Sequence, residues 1–476
     1  MANYEVTQIS DGTLLNDICF PYCRCPRISD DGSRIVYSRQ IEPDAPLYVI
    51  WLYDRNASDQ PVQLTVRSRG EDKVLVDAWP HISGDGKKII FSAEAYYTSD
   101  DKTGVYVYDI DTQTIRLVAE DRIPRYDTGA ARQPETGLSR QVTSSPRISR
   151  DGQWITYLLD DFIGHGFPPT GHWQAIRRRL MCANITESRI RGDDILEIVP
   201  NGAFGHGIHG LSISGNGRVI AFYAGGVISN LEVENLQLPP YETIRHSDTA
   251  SPTCDVYCYA VQIRGGGEYA LRCIPEPQDS HRPLVVAHPF TSSINGFNVG
   301  NILANGPSIS SNGRRIALNA GVIMGSRDMG VYVSEPFGGE THKVISFDGS
   351  PGEGPDDTVL TTGIVPTISP DGRWVAYQRS SLAFRHNYAD REEYVEGETY
   401  CPKVVHETVV VQQLPRGETS IVMDSGSDED CVPYTSRTSL SIANEAASVA
   451  INSRLDQTGS NPDNSHEIFL ATLVPE

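Results

Sequence analysis

The chain has 476 residues, 39% of them hydrophobic and 21% charged, with a formal net charge of −21 at pH 7. Such an acidic balance argues against a nucleic-acid or anionic-membrane partner, since both need basic surfaces. No apolar run reaches the roughly 18 residues of a membrane-spanning helix. The opening residues, MANYEVTQIS, have neither the basic nor the apolar stretch of a signal peptide. A soluble protein is expected, either cytoplasmic or the mature form of an exported one.

In chain order, a strand-like stretch at residues 4–9 comes first, and then one phrase begins to recur. It reads PRISDDGSRIVYS from Pro26, PHISGDGKKIIFS from Pro80, PRISRDGQWITYL from Pro146 and LSISGNGRVIAFY from Leu211. It returns as PSISSNGRRIALN from Pro307 and PTISPDGRWVAYQ from Pro366, and a worn copy, LSIANEAASVAIN, starts at Leu440. Each half of the phrase alternates like a strand. The Asp-Gly or Asn-Gly between the halves supplies the positive φ that a tight hairpin turn needs. A hairpin repeated at a period of tens of residues marks a propeller or a solenoid.

The first isoleucines of successive copies are 54, 66, 65, 96, 59 and 74 residues apart, enough each time for a four-stranded sheet and its loops. Third strands are expected at residues 48–54, 105–111, 256–261, 331–334 and 408–413. Only 34 residues follow Ile442, too few for the last blade and its outer strand. The stretch at 4–9 can complete that blade, which closes the ring without a free edge. The expected architecture is all-β: a single seven-bladed β-propeller domain spanning residues 1–476.

The phrase is similar to the repeats of TolB-like, WD40-like (PD40) propellers, and the likeness runs through nearly the whole chain. The segment VISFDGSPGEGPDD, followed by PTISPDGRWVAYQRSS, resembles the tandem form of that repeat in bacterial proteins. The resemblance implies the fold. On activity it implies a choice, because such propellers serve as docking modules, as gates on peptidases and as enzymes. A peptidase gate is disfavoured, since the chain has no G-x-S-x-G nucleophile elbow and no C-terminal α/β region.

Long connecting loops are where function is expected. They are read at residues 120–145, 160–174, 223–254, 276–306 and 380–403. Histidines concentrate in them and in one shorter neighbour: His165 and His172 in DFIGHGFPPTGHW, His206 and His209 in FGHGIHG, and His386 in FRHNYADREEY. His246, His281 and His288 bring the number on one expected face to eight of twelve. Imidazole suits proton transfer near neutral pH and is a common metal ligand. His165, His172, His206, His209, Arg385, His386 and Tyr388 are the candidate catalytic residues. His206 and His209, spaced H-x2-H, are the candidate ligands for a divalent metal such as calcium, zinc or manganese. Loops hold much of the polar inventory of any β-protein, so the same histidines also read as turn material.

Arg385, His386, Tyr388 and Arg391, with Arg125 and Tyr126 across the mouth, could neutralise a carboxylate and relay a proton. Sets of this kind occur in propeller enzymes resembling polysaccharide lyases. A salt bridge to Asp390, Glu392 or Glu393 is the competing reading. Two functions therefore stand. One is an enzyme doing lyase- or transferase-like acid–base chemistry on a small-molecule or glycan-like ligand. The other is a non-catalytic module docking a protein or peptide partner through exposed aromatics such as Tyr96, Tyr97 and Phe384. Nine cysteines, an odd number, read as reduced thiols in a β-core; disulfides would leave one thiol free. Cys19, Cys23 and Cys25 lack the C-x2-C spacing usual for zinc.

Overall fold

The computed structural model describes residues 3–10, 26–42, 45–58, 60–64, 75–95, 103–121, 138–165, 172–186, 195–199, 208–217, 219–225, 253–263, 269–272, 284–291, 293–294, 297–298, 307–320, 330–335, 341–346, 349–351, 357–385, 403–415, 417–424, 439–453, 458 and 467–475. Among them the regular structure is strand throughout, apart from one 3-10 turn at Asn444–Ala446. The strands pair antiparallel, except at the single contact of Tyr48 with Val76.

Each copy of the phrase folds as a hairpin, and its turn is built the same way six times. In the second copy the Ser83 hydroxyl donates to Asp85 Oδ1 at 2.6 Å and accepts the Lys88 N–H at 3.0 Å. Asp85 Oδ1 in turn accepts the Lys87 N–H at 3.0 Å. The serine is fully buried in all six, so it satisfies a backbone donor that no water reaches. Such a donor left bare costs about 1–3 kcal/mol. The glycine that follows has φ of 67–73°, the left-handed region. The seventh copy has Ala443 where the serine would be and Ala446 where the glycine would be, and it makes the 3-10 turn with Glu445 and Ala446 both at φ 55°.

The turns are tied to one another in sequence order. The Asp30 N–H donates to Gly84 O and the Gly84 N–H to Arg150 O, each at 2.8 Å. The Asp151 N–H donates to Gly215 O, the Gly215 N–H to Ser311 O and the Ser311 N–H to Pro370 O, again at 2.8 Å. The Glu445 N–H reaches Asp371 Oδ2 at 3.3 Å, and the Asn444 N–H donates to Asp30 O at 2.9 Å. Thus each turn bonds to the next, and the seventh bonds to the first.

Apolar packing follows the same neighbour relation, and the sheets of copies one, two, six and seven are covered on both faces. Val449 and Ile451 pack with Ala376, Val409 and Val411 of the sixth copy. Ala450, between them in sequence, faces the other way, towards Ile28, Ile35 and Tyr37 of the first. A strand buried on both faces reads as a continuous apolar run, which explains SVAI here and KIIF at Lys88. Other cores join copies one and two, two and three, and five and six. The N-terminal strand Tyr4–Gln8 pairs with Glu467–Leu473 in the sheet of the seventh copy, with Tyr4 opposite Leu473 and Gln8 opposite Phe469. The Tyr4 hydroxyl donates to Ala446 O at 2.9 Å, and the Ser10 hydroxyl donates to the buried Glu467 carboxylate.

The third strands lie at Ala45–Asp54, Gly104–Asp109, Thr253–Ile263, Gly330–Ser334 and Lys403–Gln413. Several expected loops are corrected. Residues 138–145 belong to the strand Leu138–Ile148, residues 160–165 to Trp154–His165 and residues 172–174 to His172–Asn184. Residues 284–291 form the strand Leu284–Thr291, and 380–385 end the strand Trp374–Arg385. In the third copy Asp160 and Asp161 are register partners of Arg178 and Arg177.

Candidate functional site

Strand register places the candidate residues that are described. His165 ends its strand and His172 begins the next, and the two are register partners at the tip of one hairpin. Directly opposed positions in an antiparallel pair share one face of the sheet. His209 lies in the strand Ile208–Ile213, opposite Tyr223. Arg385 closes the strand Trp374–Arg385, opposite Asp357. All four were expected in loops and are corrected to strand positions. His288 also lies in a strand, Leu284–Thr291. His206, His386 and Tyr388 lie outside the described residues, as do Arg125, Tyr126, Arg391, Tyr96, Tyr97, His246 and His281. Among the described residues no group of three His, Cys, Asp or Glu could hold a metal ion.

The strands carrying His165, His172 and Arg385 are unusually long. Counted from the shared turn, the second strand has 12 residues in copies three and six, Trp154–His165 and Trp374–Arg385. Elsewhere it has five to nine, from Ile316–Ala320 to Arg34–Glu42. Three extra residues add about 10 Å of strand. The turns are bonded together at one end of the sheets, so these two arms project at the other end.

A second concentration of polar chemistry sits near the turns and was missed by the sequence reading. The second residue of the phrase is Arg27, His81 and Arg147 in the first three copies. It is partly exposed in the first two of these, although the residues beside it are buried. Arg27 Nη1 donates to Pro26 O at 3.0 Å, and Arg147 Nε donates to Leu211 O of the next copy at 3.0 Å. His81 Nδ1 is closed to solvent and makes no hydrogen bond among the described residues. Burial first, then the charges of Arg27, Arg147 and Arg150, hold the His81 imidazole well below its ordinary pKa, so it is neutral. Below it, Arg150 Nη1 lies 2.9 Å from Asp30 Oδ1 and donates to Ile28 O at 3.0 Å. Burial raises the Asp30 carboxyl despite Arg150, with Asp31, Asp85 and Asp371 adding to the rise. Reading the aligned copies column by column, as Arg, His, Arg, Ser, Ser, Thr, Ser, would have exposed this cluster.

No family model matches the chain, and no curated protein matches it. Among solved structures it is similar to an oligogalacturonate lyase in complex with manganese, at 11% identity and TM-score 0.46, covering 100% of this chain and 99% of that one. It is also similar to the β-propeller domain of the Trilobed protease from Pyrococcus furiosus, at 12% identity and TM-score 0.40, covering 96% of each chain. TolB from Acinetobacter baumannii is 14% identical with TM-score 0.31, covering 82% of this chain and 66% of that one. No residue role passes from these proteins to this chain.

Proposed function

We propose that the chain is a single seven-bladed β-propeller whose last blade is completed by residues 4–9, and that it is an enzyme acting between its two projecting arms. The circuit of turn-to-turn hydrogen bonds supports the seven-bladed ring. So does the core shared by the seventh and first copies. In such a ring blades three and six stand across from one another.

The observation that supports the enzyme reading is the matched length of those two strands, each 12 residues from the shared turn, whose far ends carry the His165–His172 pair and Arg385. An imidazole there can take a proton from a carbon beside a carboxylate, a second imidazole can protonate the leaving oxygen, and Arg385 can hold the carboxylate. The balance is that of an elimination: one C–H and one C–O bond break, a C=C bond forms, and the proton returns to the departing oxygen. A uronate-containing oligosaccharide fits that chemistry. His206 and His209 remain the proposed ligands should a divalent cation take part, and no step is routed through it.

The test is absorbance of the new double bond on incubation with uronate oligosaccharides, with and without a divalent cation. We expect turnover by the native chain, and loss of at least about a hundredfold in His165→Ala, His172→Ala and Arg385→Ala with an unchanged melting temperature. Absence of turnover across a panel of uronates, together with capture of a peptide at the same end of the molecule, would establish the docking function instead.

A further inference from the structure

We propose that the interior of the turn circuit, at the level of Arg27, His81 and Arg147, is a binding site for one small oxyanion, a phosphate, sulfate or carboxylate. The site rests on the turn circuit alone, and it is separate from the arms at the opposite end.

Three observations meet here. The first is charge. Arg27, Arg147 and Arg150 all act electrostatically on His81, and Arg150 pairs with Asp30 at 2.9 Å. The neighbouring turn carboxylates of Asp31, Asp85 and Asp371 are each engaged by a serine hydroxyl at 2.5–2.6 Å. Guanidinium forks match the oxygens of an oxyanion.

The second observation is the opposite wall. Ser212, Ser308 and Ser441 occupy the same second position in copies four, five and seven. Each hydroxyl oxygen accepts the channel-side N–H of the next copy: Ile309 to Ser212 at 3.1 Å, Ile368 to Ser308 at 3.0 Å and Ile28 to Ser441 at 3.2 Å. A serine oxygen used as acceptor keeps an O–H donor; that of Ser308 is shared with Thr367 Oγ1 at 3.4 Å. In a closed ring of seven copies this hydroxyl arc would lie across the interior from Arg27, His81 and Arg147.

The third is His81. Its Nδ1 is buried and has no described hydrogen-bond partner, and a buried polar atom left bare is costly. An oxyanion between the arginines would accept from a protonated His81 and repay the cost of charging it. Binding should then take up a proton and strengthen as the pH falls from 8 to 6. The charged groups that act on His81 are Arg27, Arg147 and Arg150, and Asp30 lies beyond them, paired with Arg150.

The experiment is thermal unfolding in inorganic phosphate, in sulfate and in acetate, against chloride at matched ionic strength. The expected result is a saturable rise in melting temperature of about 2–3 °C at a hundredfold excess over Kd, larger at pH 6 than at pH 8. The phosphate, sulfate and acetate arms say which oxyanion is preferred. Arg27→Gln and Arg147→Gln should abolish the rise, while Arg315→Gln, at an outer turn position, should keep it. An equal rise in all three variants would mean general salting effects and overturn the proposal. If the Arg27 and Arg147 variants do not fold, a crystal of the native chain in selenate decides: anomalous density between Arg27 and Arg147 supports the site, and its absence refutes it. Loss of uronate turnover would not bear on this result, since the two sites lie at opposite ends.

Discussion

Gly152 and Gly217 occupy the same position in adjacent turns, and their surroundings set different costs for a side chain. Both have left-handed φ, at 67° and 70°. A Cβ on Gly152 would meet nothing nearer than Ser83 Cβ at 3.4 Å, whereas on Gly217 it would strike the Trp154 ring at 2.4 Å. Gly152→Ala should therefore cost only the backbone term, about 1 kcal/mol. Gly217→Ala adds overpacking against a ring that cannot swing aside and should cost about 3 kcal/mol. Urea midpoints of the two variants check the order, and equal losses would mean that Trp154 moves. The turn residues were legible in the sequence because their chemistry is local: serine, carboxylate and glycine meet within four positions. His81 was not legible as part of a cluster. Its partners Arg27 and Arg147 stand 54 and 66 residues away, and only the arrangement of whole copies brings them together.

At the scale of elements, the strands buried on both faces were readable and their polar extensions were not. IVY, IIF and VAI carry the apolar run that two packed faces demand. DDFIGH and HWQAIRRR carry charge and glycine, so their alternation is hidden, and they are nonetheless paired in register. The same gap displaced His165, His172, His209 and Arg385 from loops into strands. The N-terminal strand is the converse case, a short alternating segment readable as strand whose partner is more than 450 residues distant. It contributes five ladder positions, the Tyr4 hydrogen bond and the Ser10 contact to Glu467. Deleting residues 1–10 removes them together, at about 1 kcal/mol per hydrogen bond. In a chain of this length each kcal/mol shifts the melting temperature by about 1 °C. Differential scanning calorimetry should show a fall of several degrees, and an unchanged melting temperature would remove the strand from any closing role.

For the whole molecule the question is whether stability is shared around a ring or ordered along a row. In a row of repeats each unit leans only on its neighbours, and an end unit frays first. In a closed ring every unit has two neighbours and there is no end. The seventh copy occupies the deciding place, since Val449 and Ile451 pack on the sixth and Ala450 and Ile468 on the first. In the intact chain, amide exchange at Ile451 and Phe469 should be as slow as at Ile89 and Phe91 in the second copy, all four being fully buried. Removing residues 1–10 bares the edge of the strand Glu467–Leu473, and the proposed ring would acquire an end there. Exchange at Phe469 and Leu470 should then rise at least tenfold, corresponding to about 1.4 kcal/mol of local stability, while Ile89 and Phe91 change less. A uniform rise at all of these amides would instead mean that the chain opens only as one body. The N-terminal strand would then stabilise the entire propeller equally rather than holding its last blade shut.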